Sequence, residues 1–225
     1  MQIIWHGQSC FQTITNQGKN GPLIIVIDPF DETLGLRVPK LQADILLVTH
    51  DHPDHNNIKV VEGNPSTGSG QAPFLISGPG EYDIKGIFIQ GISSFHDKSK
   101  GKTKGKNTCY TIEAEDMKIC HLGDLGQGEL TEEQMQALGE IDILLIPVGG
   151  VFTIDSGDAS KIISQIEPKI VIPMHYALPK LKVKLEGIEK FLKVMGKKGT
   201  EPLNKLSIKS KDLPQDETEI IILNP

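Results

Sequence analysis

A single α/β domain spanning residues 1–225 is what the order of apolar runs predicts. Short strand patterns come first, and strands alternating with helical patterns follow. Several runs, such as Leu23–Ile27 and Ile45–Val48, are apolar at every position, as in strands of a sheet covered on both faces. A chain of this length can bury one sizeable core, and its apolar and charged fractions are ordinary for a globular protein.

The elements follow in order. Ile3–Trp5 and Cys10–Ile14 read as strands joined at His6-Gly7-Gln8, and Asn16–Pro22 as a turn rich in Gly and Asn. Leu23–Ile27 is a buried strand ending in Asp28-Pro29-Phe30. Ala43-Asp44 opens the next, and Asn56 or Asn57 caps a short helix to Val61. Gly63–Pro73 reads as a loop, Phe74–Ser77 as a strand, and Gly78-Pro79-Gly80 as a turn. Gly86–Gln90 and Ile92–Phe95 read as two strands divided by Gly91. Thr108–Glu113 and Met117–His121 form a hairpin, and Thr131 with Gln134 makes a capping box for a helix to Leu138. Ile141–Pro147 and Lys169–Pro173 are strands. Asp158–Ile166 and Lys184–Met195 are amphipathic helices, and Leu206–Ile208 and Glu219–Leu223 close the domain.

Composition narrows the function classes. A formal net charge of −6 argues against a general nucleic-acid coat protein. The three cysteines, Cys10, Cys109 and Cys120, are widely spaced and contain no C-x-x-C pair, so neither a disulfide framework nor a zinc knuckle is expected. Met1–His6 has no basic region leading into an apolar core, and no run approaches a membrane span. A cytoplasmic location is the expectation.

One stretch dominates the chemistry, Thr49-His50-Asp51-His52-Pro53-Asp54-His55. Such dense polar groups at the end of an apolar run cost desolvation, and a bound cation is the usual compensation. In extended chain His50 and His52 share a face. Pro53 disfavours helix at His52, so Asp54 and His55 take a new direction and can face a second ion. His96, Asp124 and His175 each follow a strand pattern, where ligands from distant segments can converge.

The spacing H-x-H-x-D-H after an apolar strand resembles the metal-binding signature of the metallo-β-lactamase fold superfamily. His96-Asp97, Asn107-Thr108, His121-Leu122-Gly123-Asp124-Leu125-Gly126, Pro147-Val148-Gly149-Gly150 and Pro173-Met174-His175-Tyr176 are similar to its bacterial and archaeal zinc-dependent hydrolases, relatives of ascorbate-6-phosphate lactonase. The resemblance implies a four-layer αβ/βα sandwich of two mixed β-sheets with helices on the outer faces. It also implies one metal on His50, His52 and His96 and a second on Asp54, His55 and His175, with Asp124 bridging. Departures are the order His6-Gly7-Gln8 and the presence of Gln127, and the sequence assigns these positions no role.

Other residues carry competing readings. His6 and His121 read as strand-end histidines, and Cys120 as core. Asp97, Glu81 and Asp155 are candidates to orient ligating imidazoles, or else turn and cap residues. The segment Lys98–Lys106 has lysine at alternate positions. In extended chain it would form a cationic rim; otherwise it is a solvated loop.

The chemistry expected is hydrolysis by a hydroxide held between two divalent ions, with Asp54 orienting it and its pKa lowered toward ~7. Zinc suits five imidazoles and two carboxylates, and manganese or iron is also compatible. The substrate expected is a small, anionic ester, lactone or phosphodiester, with no membrane partner; an oligomer is compatible. The alternatives are a nuclease of the same fold and a non-catalytic metal-binding protein. No G-x-S-x-G elbow is present.

Overall fold

In a computed structural model, the protein is described over residues 1–16, 21–65, 72–197, 199 and 201–225. Most of the turn expected at 16–22 and of the loop expected at 63–73 lies outside these residues. Two mixed sheets face each other. The first is ordered β14-β1-β2-β3-β5-β7 and is built from β1 (Gln2–Gly7), β2 (Cys10–Asn16), β3 (Pro22–Ile27), β5 (Ile45–Leu47), β7 (Phe74–Ile76) and β14 (Leu206–Ser207). The second is ordered β15-β13-β12-β11-β10-β9-β8. Its strands are β8 (Gly80–Ile84), β9 (Ile87–Phe95), β10 (Lys106–Ala114), β11 (Met117–His121), β12 (Ile143–Pro147), β13 (Ile170–Met174) and β15 (Glu219–Ile220). In each sheet an antiparallel part passes into a parallel part, at β3–β5 in the first and β11–β12 in the second.

One core joins the sheets. Ile3, Trp5, Ile25 and Ile45 of the first pack with Ile89, Tyr110, Ile112 and Leu145 of the second. Alternate burial along β1 leaves Gln2, Ile4 and His6 on the outer side. Three helices follow β11: α1 (Glu132–Leu138), α2 (Ser156–Ile166) and α3 (Ile188–Val194). The capping box of α1 forms as expected, with Thr131 and Gln134 each satisfying the other's backbone N–H. In α2 the stripe Ala159, Ile162, Ile163 and Ile166 is buried, and Asp155 caps the first turn. A second cluster, with Val26, Phe30, Leu34, Leu46 and Val61, lies on the other side of β3 and β5. Its cover comes from 3-10 turns at Glu32–Leu34 and Ile58–Val60 and from the pair β4 (Leu41–Ala43) and β6 (Val61–Gly63).

Two expectations are corrected. β9 runs unbroken through Gly91, which pairs with both Gly80 and Tyr110. A Cβ there would stand 2.7 Å from the Gly78 carbonyl oxygen and 3.0 Å from Tyr110 Cε1, so this glycine permits close approach rather than ending a strand. The last helix starts at Ile188, not Lys184. The Glu186 backbone is committed elsewhere: its N–H bonds Gly149 O (2.9 Å) and its carbonyl accepts from Ala177 N (2.9 Å).

Cross-sheet bonds place the loop that follows β5. Tyr110 Oη, fully buried, donates to Val48 O at 3.0 Å, and Thr108 N donates to Thr49 O at 2.9 Å. Each is worth about 1 kcal/mol. Together they pin the end of β5 against β10.

Candidate metal centre

All seven residues singled out from the sequence converge at one end of the sandwich. His50, His52 and His96 offer nitrogen atoms within 4.8 Å of one another, and Asp54, His55, Asp124 and His175 form a second such group. The His50–His55 stretch leaves the parallel strand β5, His96 ends β9, Asp124 follows β11 and His175 follows β13. Asp124 lies between the groups. Its Oδ2 is 3.4 Å from His96 Nε2 and 3.3 Å from His175 Nε2, and its Oδ1 is 3.3 Å from His55 Nε2.

The donor set fits a cation. His55 Nε2 is buried without a hydrogen-bond partner, yet it faces carboxylate oxygens of Asp54 (3.5 Å) and Asp124. His50 Nε2 and His52 Nδ1 stand 3.0 Å apart, two nitrogens with lone pairs for one proton or one ion. Burial, reinforced by the charge of His55, pushes the His50 pKa down to about 3, so it presents a neutral ring. Burial opposes ionisation of Asp124, but His175 and His55 outweigh it and hold the carboxyl well below the usual range. Burial likewise disfavours a charged His55, and the carboxylates of Asp124 and Asp28 overcome it. Bound cations would take the place of such protons.

Supporting contacts come from residues to which the sequence assigned no such role. Asp28, directly after β3, accepts from Thr49 N (2.8 Å) and Thr49 Oγ1 (2.7 Å), and its Oδ2 lies 2.9 Å from His55 Nδ1. A carboxylate there fixes ring orientation and tautomer. The only signal in the sequence was an acidic residue at the end of an apolar strand. Gln8 Nε2 donates to Asp54 Oδ2 at 3.1 Å, and Ser9 Oγ donates to Asp124 Oδ1 at 3.2 Å. Asn107 Oδ1 accepts from Asp124 N at 3.0 Å. Gly123, at φ +57°, allows this turn, since a Cβ would stand 2.8 Å from Thr49 Cβ.

The other candidates sort differently. For Asp97 and Asp155 the turn and cap readings hold. Asp155 caps α2, Glu81 is exposed on β8, and Asp97 gathers the backbone N–H groups of Ser99, Gly101, Thr103 and Lys104. That carboxylate winds the lysine segment into turns, so its lysines do not share one face as an extended rim would require. Lys98 pairs with Asp158 at 2.7 Å, whereas Lys104 lines the same cavity as His52, Asp54, His96 and Asp124. His121 is satisfied by Ser9 O and Gly123 N, as a strand-end histidine should be. His6 Nε2 is buried without a partner. Gln127 bridges Phe95 N, Glu129 O and Gln134, a structural network beside β9. Cys120 is core.

A cavity of about 440 Å³ opens over this cluster, with His52, Asp54, His96 and Asp124 on its floor. Residues 2–175 match the family described as the beta-lactamase superfamily domain. The chain belongs to the beta-lactamase superfamily. A relative in this superfamily from Thermotoga maritima, named as a zinc-dependent hydrolase, is 34% identical, with a TM-score of 0.75 and coverage of 98% of this chain and 97% of its own. A metal-dependent hydrolase of Thermococcus onnurineus is 32% identical over 200 residues, 78% of this chain and 84% of that one. One from Lawsonia intracellularis is 32% identical over 221 residues, 86% and 91% of the two chains. The protein is a metal-dependent hydrolase of the beta-lactamase superfamily. Among the described residues no helix is long and apolar enough to cross a membrane.

Proposed function

We propose that this hydrolase works with two metal ions and cleaves a small, negatively charged ester, lactone or phosphodiester. The observation that carries the reading is Asp124, whose carboxylate faces His96 of one ligand group and His55 and His175 of the other. His50, His52 and His96 would hold one ion, and Asp54, His55 and His175 the second, with Asp124 shared. Zinc is the first choice for a set rich in imidazole and free of thiolate; manganese and iron accept the same donors. Bound there, the ions supply Lewis-acid activation of water at neutral pH and stabilisation of the developing oxyanion.

The remaining work falls to the chain's own groups. Asp54 sits on the cavity floor with one oxygen fixed by Gln8, which aims its carboxylate to accept a proton from an incoming water. Asp28 fixes His55 in one orientation. The cavity volume matches a small molecule.

The test combines metal analysis with turnover. Two equivalents of metal per chain are expected, with hydrolysis on a panel of lactones, aryl esters and a phosphodiester that stops with chelator and returns with zinc. Inactivity across the panel with both ions bound would overturn the hydrolytic reading in favour of a metal-binding role.

A further inference from the structure

Lys104 is the only lysine or arginine among the described residues that line the cavity. It is held by backbone carbonyls and an aromatic ring. Its Nζ donates to Val151 O at 3.2 Å and to Phe152 O at 2.6 Å, and it lies 5.0 Å from the centroid of the Phe152 ring. An ammonium has three N–H donors, so two anchors leave one uncommitted. The backbone it grips is unusual. Val151, β-branched and 63% exposed, has φ +58°, a strained conformation that persists only where neighbours impose it. Here the Lys104 anchor and the tight turn made by Phe152 N and Thr153 N to Gly150 O impose it.

Apart from Thr33, the rest of the wall is apolar: Leu34, Pro53, Phe152 and Val183. Phe152 remains 42% exposed although it borders the cavity, so it presents a ring to whatever enters. Burial lowers the Lys104 pKa, and the nearby carboxylates of Asp124 and Asp97 counter this.

We infer that Lys104 and Phe152 form the specificity subsite of this cavity, selecting a substrate with an apolar arm and an anionic group separate from the bond that is cut. The apolar arm lies against Phe152, Leu34 and Val183, and the anion takes the free donor of Lys104. This deepens the hydrolytic reading above and rests on it for the bond that is broken, but not for the binding itself. The charge selection comes from one half-buried lysine and not from the lysine segment as a whole: Lys102 is exposed and does not line the cavity.

The experiment uses the full-length, metal-loaded protein and has two arms. In the first, calorimetry follows binding of octanesulfonate, an anionic amphiphile that is a poor zinc ligand. Wild-type binding should weaken about tenfold in Lys104→Met, the loss of one charge-assisted hydrogen bond. It should be largely kept in Lys104→Arg and unaltered in Lys102→Met. In the second arm, the ratio of kcat/KM for mono-p-nitrophenyl succinate to that for p-nitrophenyl butyrate should fall by a similar factor in Lys104→Met. Absence of octanesulfonate binding by the wild type, or equal binding by wild type and Lys104→Met, overturns the subsite. So does an equal loss in Lys102→Met, which would return the charge to the segment at large. Octanesulfonate binding that depends on Lys104, in a protein that hydrolyses neither ester, would leave the subsite standing and count against the hydrolytic reading alone.

Discussion

Asp28 Oδ2 lies 2.9 Å from His55 Nδ1, with both side chains closed off from solvent. The parallel register of β3 with β5, Ile27 beside Leu47, brings Asp28 onto Thr49, and the turn closed by His55 N and His52 O returns His55 to the same carboxylate. Asp28→Asn keeps the volume but removes the charge that orients and polarises the ring. Metal affinity of the Asp54–His55–His175 group should drop by about 10–100-fold, with the fold retained. Metal titration followed by circular dichroism checks this; unaltered affinity would show that Asp28 merely packs.

His52 lies at the cavity floor, with Nδ1 3.0 Å from His50 Nε2. His52→Ala should lose hydrolysis and at least one metal equivalent. Elemental analysis of the purified variant decides the matter, and wild-type metal content with wild-type turnover would remove His52 from the site.

Gly123→Ala forces a side chain into a left-handed backbone and against Thr49 Cβ, 2.8 Å away. A destabilisation of about 1–3 kcal/mol is expected, together with weaker metal binding because Asp124 follows directly. Urea unfolding of the metal-free and metal-loaded forms measures both; a cost under about 0.5 kcal/mol would mean that the turn relaxes freely.

Asp44, at the opposite end of β5 from the His50–His55 stretch, sets an acid limb of stability. Burial pushes its pKa up, but Asn64 Nδ2, Ile24 N and Lys85 Nζ, each 2.9 Å from a carboxylate oxygen, bring it below the ordinary value overall. A folded pKa below the unfolded one, about 3.9 for Asp, means that the ionised carboxylate stabilises above that pH. The contribution is lost as pH falls through the folded value. Wild type should therefore exceed Asp44→Asn in stability at pH 7, with the gap closing below about pH 4. A gap constant down to pH 3 would assign the difference to packing instead.

What the sequence by itself determined was the inventory and order of the site. The His50–His55 cluster announced a metal centre because so many ligating groups cannot share a buried strand end without a cation. The placement of His96, Asp124 and His175 after strand patterns was readable from local periodicity. Tertiary structure alone decided what holds those groups. Asp28 meets His55 through the parallel register of β3 with β5 and the turn after His52, and Gln8 reaches Asp54 across a sequence separation of 46. Gly91 looked like a break because a missing side chain weakens a strand locally, whereas the reason for it is the carbonyl of Gly78 passing 2.7 Å from where a Cβ would be. The alternating lysines suggested an extended rim, yet the Asp97 carboxylate outbids extension by satisfying four backbone N–H groups at once, and only Lys104 reaches the cavity. Periodicity reports what one segment prefers alone. Contacts between segments are set by register and by competition for backbone hydrogen bonds, and both belong to the folded chain.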